Sequence, residues 1–188
     1  MDTRLQLLTD WVRQIPGFNS ASPEPVSGDA SFRRYVRVWR ETPGQPRTAF
    51  IVMDAPPAHE DCRPFVAIAE HWHRHGVHVP AIEAQDLQQG LLLLEDFGDR
   101  LMLAELDGDS ADTLYRQALD ELVRIGQMPP PANYPLPAYD DALLDREMAL
   151  FPDWLLEQHL ELTLDNQDRA LLETAFGLLK ESALAQPE

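Results

Sequence analysis

Residues 26–38 read Val-Ser-Gly-Asp-Ala-Ser-Phe-Arg-Arg-Tyr-Val-Arg-Val, and this stretch decides the fold. Its first half is made of small and polar residues, and Gly28 tolerates a positive φ, so a turn is predicted there. From Phe32 the side chains alternate as they do in a strand, and a loop that leads into arginines suits an anion such as a polyphosphate. The alternative is a hairpin with exposed arginines and no ligand. One face of the predicted strand carries Phe32, Arg34, Val36 and Val38.

The composition limits the class of protein and its partners. A chain of 188 residues with 44% hydrophobic residues is typical of one medium domain or two small lobes. The formal net charge of −17 disfavours nucleic acid and anionic membrane surfaces as partners. Cys62 is the single cysteine, and neither a signal peptide nor a membrane span is expected, so a cytoplasmic location is predicted. Five arginines between Pro25 and Asp54 favour one small anion, or else a solvated strand face.

Hydrophobic periodicity predicts a β-rich first half. A helix is predicted over 3–15 and is ended by Pro16-Gly17, and a second helix is predicted from Pro64 to Gly76. Taken together, the strand signals predict a five-stranded sheet with one important helix. The predicted extended segments are 31–40, 48–53, 77–82 and the apolar run 91–94, which is typical of a buried strand.

After Gly98 the pattern is helical. Ser110 and Asp165 are each predicted to cap a helix, and two short helices are predicted over 140–150 and 152–162. The proline-rich stretch 128–137 is predicted to be a stiff extended connection. The change of composition near 95–99 is the best candidate for a domain boundary.

Five blocks of sequence resemble a known family. They resemble the aminoglycoside-phosphotransferase-like kinases, and in particular the bacterial anomeric kinases for N-acetylmuramate and N-acetylglucosamine of cell-wall recycling. The likeness covers nearly the whole chain, is strongest over 25–99, and includes Phe-Pro-Asp-Trp at 151–154. The five blocks are Ser-Gly-Asp-Ala-Ser-Phe-Arg-Arg-Tyr (27–35), Ile-Val-Met-Asp-Ala-Pro-Pro (51–57), Glu-Asp-Cys-Arg-Pro-Phe (60–65), Gly-Val-His-Val-Pro (76–80) and Leu-Leu-Leu-Leu-Glu-Asp-Phe-Gly-Asp (91–99).

The resemblance implies an α+β, protein-kinase-like fold with a five-stranded antiparallel small lobe and the start of a truncated helical large lobe. It implies a nucleotide-binding lobe over 1–94, a hinge over 95–99 and the first part of the large lobe over 100–188. It also implies ATP and Mg2+ as cofactors, and a nucleotide and a small-molecule amino sugar as ligands.

The resemblance further implies a set of nucleotide-binding residues. Residues 27–32 would cover the phosphates, Leu91–Leu94 would line the adenine pocket, and the backbone of Glu95 and Phe97 would bond the adenine edge. Asp145 and Glu147 would accept hydrogen bonds from sugar hydroxyls, unless they belong to a solvated helix face. The full nucleotide set is Ser27, Gly28, Asp29, Ala30, Ser31, Phe32, Arg34, Val36, Met53, Leu94, Glu95 and Phe97.

The chain departs from the family pattern at the strand lysine that holds the phosphates. Met53 or Asp54 stands in its place, and Lys180 is the only lysine. We assign the phosphate contact to Arg34, whose guanidinium can bind phosphate oxygens through two hydrogen bonds. The assignment expects the strand face of Val36 to point into the cleft. The alternative for Arg34 is a surface ion pair.

The catalytic loop of kinases is also missing. Asp96-Phe97-Gly98 spells the magnesium motif of protein kinases, but it follows the buried strand directly and is interpreted as hinge. No His-x-Asp-x-x-x-x-Asn string occurs, so no catalytic residue and no metal ligand is assigned to this chain. We expect an incomplete and inactive fragment whose exposed apolar surface promotes association. The alternatives are a non-catalytic kinase-like module that binds nucleotide or a partner, and a related small-molecule kinase with another hydroxyl acceptor.

Three further features bear on possible chemistry. His71 and His75 stand one helical turn apart, as two zinc ligands would, or they are solvated histidines. Cys62 has no neighbouring base in the sequence that would mark a nucleophile. Trp154 either stacks on a sugar ring or packs in a core.

Overall fold

A five-stranded antiparallel sheet with helices packed on it is built from the first half of the chain, and further helices follow in the sequence. The computed structural model describes residues 2–28 and 31–186. The elements in chain order are α1 (Thr3–Val12), β1 (Glu24–Gly28), β2 (Arg34–Arg40), β3 (Thr48–Asp54), α2 (Arg63–Arg74), β4 (Ile82–Asp86), β5 (Leu91–Glu95), α3 (Met102–Glu105), α4 (Ala111–Gly126), α5 (Asp141–Leu150), a π-helical segment (Phe151–His159) and α6 (Asn166–Leu184).

The strands follow the order β1-β2-β3-β5-β4, and every neighbouring pair is antiparallel. The predicted α+β class with a five-stranded antiparallel sheet is therefore confirmed. β3 and β5 occupy inner positions because their residues are apolar on both faces. The four leucines 91–94 are all buried, which confirms the predicted buried strand.

The two faces of the sheet are covered by different helices. On one face, named here the α1 face, Val36, Val38, Val52 and Leu93 pack against α1 through Leu8 and Val12. The other face, named the α2 face, packs Met53, Leu92 and Leu94 against Cys62 and Val66 of the α2 region. Since side chains alternate along a strand, a residue's position in β2 decides which of these environments it meets.

Two predicted strand boundaries are wrong. Residues 24–28 form β1 rather than only a turn, and the predicted strand 31–40 begins at Arg34. β4 spans Ile82–Asp86 instead of 77–82, because Pro80 cannot donate to a strand ladder. Its alternating, half-exposed side chains are those of an edge strand, which is a weak signal in sequence.

The helical part agrees in outline and differs in detail. Asp165 caps α6 through a capping box, as predicted. Ser110 precedes α4, but its hydroxyl donates to the carbonyl of Glu105 at 2.7 Å instead of accepting from the helix. The second short helix is π-helical, and Pro152 at its start has no N–H to donate to an α-helical partner.

The chain forms two compact units, Met1–Pro135 and Leu136–Glu188. The first contains the sheet with α1 to α4, and the second contains α5, the π-helical segment and α6. Throughout the described part of the chain, no helix combines the length and the apolar character that a membrane crossing requires.

Candidate functional site

A cavity of about 340 Å³ lies over the α2 face where β5 ends, and it is named here the β5 cavity. Its size falls in the range of small-molecule sites, which are mostly apolar with a few polar groups. The polar groups come from Arg37 and from the segment 95–98, which continues β5. The apolar walls are formed by Val26, Tyr35, Ile51, Phe65, Pro80 and Leu94.

Sheet register explains why these walls converge. Arg37 pairs with Ile51, and Ile51 pairs with Leu94, so three adjacent strands present side chains at one level of the α2 face. Ile51 and Leu94 offer the flat apolar surface that a heteroaromatic ring would need. Of the run 91–94 predicted to line the adenine pocket, Leu94 lines the β5 cavity, whereas Leu91 and Leu93 are buried in the α1 face.

Arg37 ties β2 to the segment after β5. Its Nη2 donates to Asp96 Oδ1 at 3.2 Å and to Asp99 Oδ1 at 2.8 Å. Hydrogen bonds to Asp99 and then Asp96 raise the pKa of Arg37 above its usual range, and the Arg37 bond lowers the pKa of Asp99. Asp96 is almost fully buried, with 5% of its side chain exposed. The rim of the β5 cavity is therefore fixed by a bridge that the sequence analysis missed.

Glu95 and Phe97 flank that bridge on the cavity rim. The Glu95 N–H donates to the Ala81 carbonyl at 2.9 Å, and its carboxylate accepts from the Ala81 N–H at 3.2 Å. Phe97 is half-exposed, and its ring lies 4.8 Å from that of His78. The Glu95 side chain is thus held towards the start of β4, while residues 95–98 border the cavity.

Arg34 and Val36 do not face the β5 cavity, so the predicted orientation is wrong. Val36 is buried in the α1 face, and Arg34 shares its side of β2. The Arg34 Nη2 donates to Asp54 Oδ2 at 2.7 Å, and Arg34 also pairs with Asp2. Asp54 is fully buried and receives a second arginine, Arg4, from α1. The contacts of Arg34 are those of a structural ion network, which was the alternative interpretation.

The structure also corrects the prediction for Met53. It lies on the α2 face at the position expected for a lysine, but it is fully buried in the apolar cluster with Val66 and Leu92. A buried thioether carries no charge and presents no surface to a nucleotide, so the prediction that Met53 contacts the ligand is wrong. The cation of the related kinases has no counterpart at this position.

The predicted phosphate loop is described only in part. Asp29 and Ala30 lie outside the described residues, whereas the backbone of Ser27 and Gly28 belongs to β1 and pairs with β2. The Ser31 hydroxyl accepts from the Arg33 N–H at 3.1 Å. Phe32 is exposed, and its ring stacks on that of His59 with centroids 4.3 Å apart.

Arg33 stands next to this loop and was not predicted as a site residue. Its Nε and Nη2 each lie 3.1 Å from Glu60 Oε2. Burial lowers the pKa of Arg33, but the charge of Glu60 and hydrogen bonds to Tyr35 and Glu60 raise it overall. Arg33 therefore stays cationic at the end of the α2 face opposite the rim of the β5 cavity.

The predicted sugar-binding acids belong to the second unit. Asp145 Oδ1 lies 2.6 Å from Lys180 Nζ, which also reaches Asp141 at 3.1 Å, and hydrogen bonds to both acids raise the pKa of Lys180. Glu147 is exposed on the same helix. Trp154 is 66% exposed, so the interpretation as core packing is wrong.

The histidines and Cys62 have structural surroundings. His71 is buried, and its Nε2 lies 2.7 Å from the Pro129 carbonyl oxygen, while His75 Nδ1 contacts the His71 carbonyl at 2.8 Å. Cys62 is buried at the start of α2, and burial raises the pKa of its thiol. A raised thiol pKa opposes nucleophilic reactivity.

Comparison with known proteins extends these observations. Residues 22–188 match the model of the phosphotransferase enzyme family. The N-acetylmuramate/N-acetylglucosamine kinase of Pseudomonas putida is 42% identical over 200 residues, covering 100% of this chain and 56% of that relative. The protein of the same name from Pseudomonas aeruginosa is 44% identical over 196 residues, covering 99% and 56%. The corresponding Neisseria meningitidis kinase is 26% identical over 185 residues, covering 96% and 53%. The chain spans about half the length of the curated relatives it matches.

Proposed function

This chain belongs to the phosphotransferase enzyme family, and we propose that it supplies the ATP-binding part of an amino-sugar kinase. The complete enzyme would transfer the γ-phosphoryl group to the anomeric hydroxyl of N-acetylmuramate or N-acetylglucosamine, in peptidoglycan recycling. The observation that carries the proposal is the β5 cavity, a mostly apolar cavity of about 340 Å³ bordered by residues 95–98 at the end of β5. The names of the relatives support the acceptor class.

The adenine ring would pack against Val26, Ile51 and Leu94, which line the β5 cavity. The backbone of Glu95 and Phe97 would bond its edge, because this segment borders the cavity. The loop of residues 27–32 would cover the phosphates. Arg37 would keep the rim in place through Asp96 and Asp99 rather than bind the ligand directly.

The sugar contacts are proposed on the second unit. Asp145 and Glu147 would accept hydrogen bonds from hydroxyl groups of the acceptor. Asp145 can do so while paired with Lys180, since a carboxylate has about four acceptor positions. Phosphoryl transfer would then depend on positioning and charge neutralisation.

Mg2+ is generally expected with ATP in this family, and it prefers oxygen ligands. Within residues 2–28 and 31–186, no group of three or more His, Cys, Asp or Glu side chains is arranged to hold a metal ion. We assign no metal ligand to this chain and derive no step through the ion. The general base and the metal ligands are proposed to come from the part of the relatives that this chain does not cover, and the chain alone is proposed to be inactive.

Binding measurements test the nucleotide assignment. Isothermal titration of the 188-residue chain with ATP and with adenosine should show both ligands binding. Ile51→Trp should abolish both, because the larger side chain fills the β5 cavity. Leu103→Trp, at an exposed position of α3, is the matched control and should bind as the wild type does. Binding of neither ligand by a folded wild-type chain would overturn the proposal.

Activity measurements test the acceptor and the need for the remaining sequence. A chimera that joins this chain to the uncovered part of the Pseudomonas putida relative should turn over ATP with N-acetylmuramate or N-acetylglucosamine. The 188-residue chain alone should show no turnover in the same assay. Turnover by the chain alone would contradict the proposed inactivity, and an ATP-competent chimera without sugar turnover would contradict the acceptor.

A second function, as a partner-binding module, is favoured by the surface of α4. Tyr115, Leu119, Leu122 and Val123 are all exposed and share one helix face by their spacing. Such a stripe would associate with an apolar protein surface. Light scattering should then show oligomers for the wild type, and Leu119→Glu with Leu122→Glu should reduce them.

The charge of −17 opposes nucleic acid as the partner, and ATP use with a single cysteine supports a cytoplasmic location.

A further inference from the structure

Three residues of the β2 region lie on the α2 face at every second position. Arg37 is at the rim of the β5 cavity, and Tyr35 lines the cavity. Arg33 is the residue immediately before the first residue of β2. A strand rises about 3.3 Å per residue, so Arg33 is about 13 Å along the chain from Arg37. A nucleotide whose base lies at the rim would extend its phosphates in the direction of Arg33.

The charge that family members place on β3 is missing at this level of the sheet. Met53 pairs with Tyr35 in the register and points into the α2 cluster, where it is fully buried. Arg34 cannot replace the lysine, because it lies on the α1 face and is held by Asp54 and Asp2. The arginines of the β2 region on the α2 face are Arg33 and Arg37, and Arg37 is held at the cavity rim by Asp96 and Asp99.

Arg33 has the surroundings such a cation needs. Its guanidinium is held by one carboxylate oxygen of Glu60, with Nε and Nη2 both at 3.1 Å, and it also hydrogen-bonds Tyr35. The Glu60 side chain is only 14% exposed, whereas that of Arg33 is 31% exposed and can reach a ligand. A guanidinium has five N–H groups, so these contacts leave donors for phosphate oxygens. The stacking of Phe32 on His59 restrains the residue before Arg33.

We propose that Arg33 contacts the polyphosphate of ATP bound in the β5 cavity, and that Glu60 orients the Arg33 guanidinium for this contact. The pair would take the part that a strand lysine and a helix glutamate have in the kinases this chain resembles. Arg33 is the ligand-binding residue and Glu60 is a positioning residue. This inference rests on the proposed function, since it requires ATP in the β5 cavity.

The test compares ATP with adenosine, which lacks the phosphates. Isothermal titration of the 188-residue chain should give a higher affinity for ATP than for adenosine. Arg33→Ala should weaken ATP binding by about tenfold, as loss of a charge-assisted contact does, and should change adenosine binding by less than about twofold. Arg33→Lys should recover part of the ATP affinity. Glu60→Gln should weaken ATP binding alone, by less than Arg33→Ala.

The matched control is Arg47→Ala, which removes the same charge from an exposed arginine that lies over Trp39. It should leave both affinities within about twofold. Arg33→Gln provides a variant of closer size, and thermal melting confirms that each protein is folded. An unchanged ratio of ATP to adenosine affinity in the folded Arg33 variants would overturn the inference while leaving the proposed function standing. An equal loss in Arg47→Ala would also overturn it. Failure of the wild type to bind either ligand would overturn both.

Discussion

Gly90 gives the most direct test of how β3 and β5 meet at the start of β5. Gly90 precedes β5, has a φ of +70° and is buried. A Cβ added there would lie 1.9 Å from the carbonyl oxygen of Ala55 and 3.2 Å from Pro57 Cδ. The same two backbones are joined by the Ala55 N–H, which donates to the Gly90 carbonyl at 2.8 Å.

The expected cost of Gly90→Ala follows from these distances. Real Cβ atoms do not approach closer than 3.0 Å, so the backbones must separate by about 1 Å. The 2.8 Å hydrogen bond then lengthens beyond hydrogen-bonding range. Loss of a buried hydrogen bond, overpacking and a positive φ for alanine together cost about 4 kcal/mol. For a unit of this size the melting temperature should fall by roughly 12 °C.

Gly44→Ala is the matched control, because Gly44 has a φ of +78° but nothing within 4 Å of the added Cβ. It should share only the conformational cost of about 1 kcal/mol, a shift of roughly 3 °C. Trp154→Phe in both proteins leaves three tryptophans, all in the first unit, so that fluorescence during thermal and urea unfolding reports that unit alone. Equal shifts for the two alanine variants would refute the close approach of β3 and β5.

Three further outcomes are expected. Asp54→Asn should lower the stability of the first unit by about 3 kcal/mol in urea unfolding, because it leaves two arginines facing a fully buried neutral group; an unchanged midpoint would contradict this. Cys62 should react with a thiol reagent far more slowly in the folded chain than in urea, since burial raises its pKa; equal rates would contradict it. Asp61 should titrate near pH 2 by NMR, because its pKa is lowered by the hydrogen bond from Arg63 to about 2, and Arg63→Ala should raise that midpoint. The stabilisation from this depressed pKa is present above about pH 4 and is lost as the pH falls towards 2.

The sequence predicted the sheet because its inner strands are strong local signals. The apolar runs Ala49–Met53 and Leu91–Leu94 have no polar residue that would place them at a surface, so their burial follows from composition. β1 and β4 were missed or misplaced because edge strands tolerate proline, glycine and charged residues. Their pairing is decided by the neighbouring strand and not by their own propensity.

The site was harder to predict than the sheet, for a physical reason that Arg34 illustrates. Alternation shows which residues of β2 share a face, but both faces carry arginine. The face that meets α1 is decided by packing of Leu8 and Val12 on Val36, which are distant in sequence. Likewise, the sequence around Arg37 does not predict that Asp96 and Asp99 are its partners, since they are about 60 residues away.

The ion pairs of the sheet also reduce the positive charge that the arginine-rich stretch presents to a ligand. The patch that looks basic in sequence is largely neutralised by acids from other elements, so an arriving polyphosphate meets few uncompensated charges. The proposed binding at Arg33 would then be an exchange, in which phosphate oxygens join or replace Glu60 at a guanidinium that is already oriented. Such a contact would orient a bound polyphosphate more than it would raise its affinity. The pairs are Arg33–Glu60, Arg34–Asp54, Arg37–Asp96 and Arg40–Glu83.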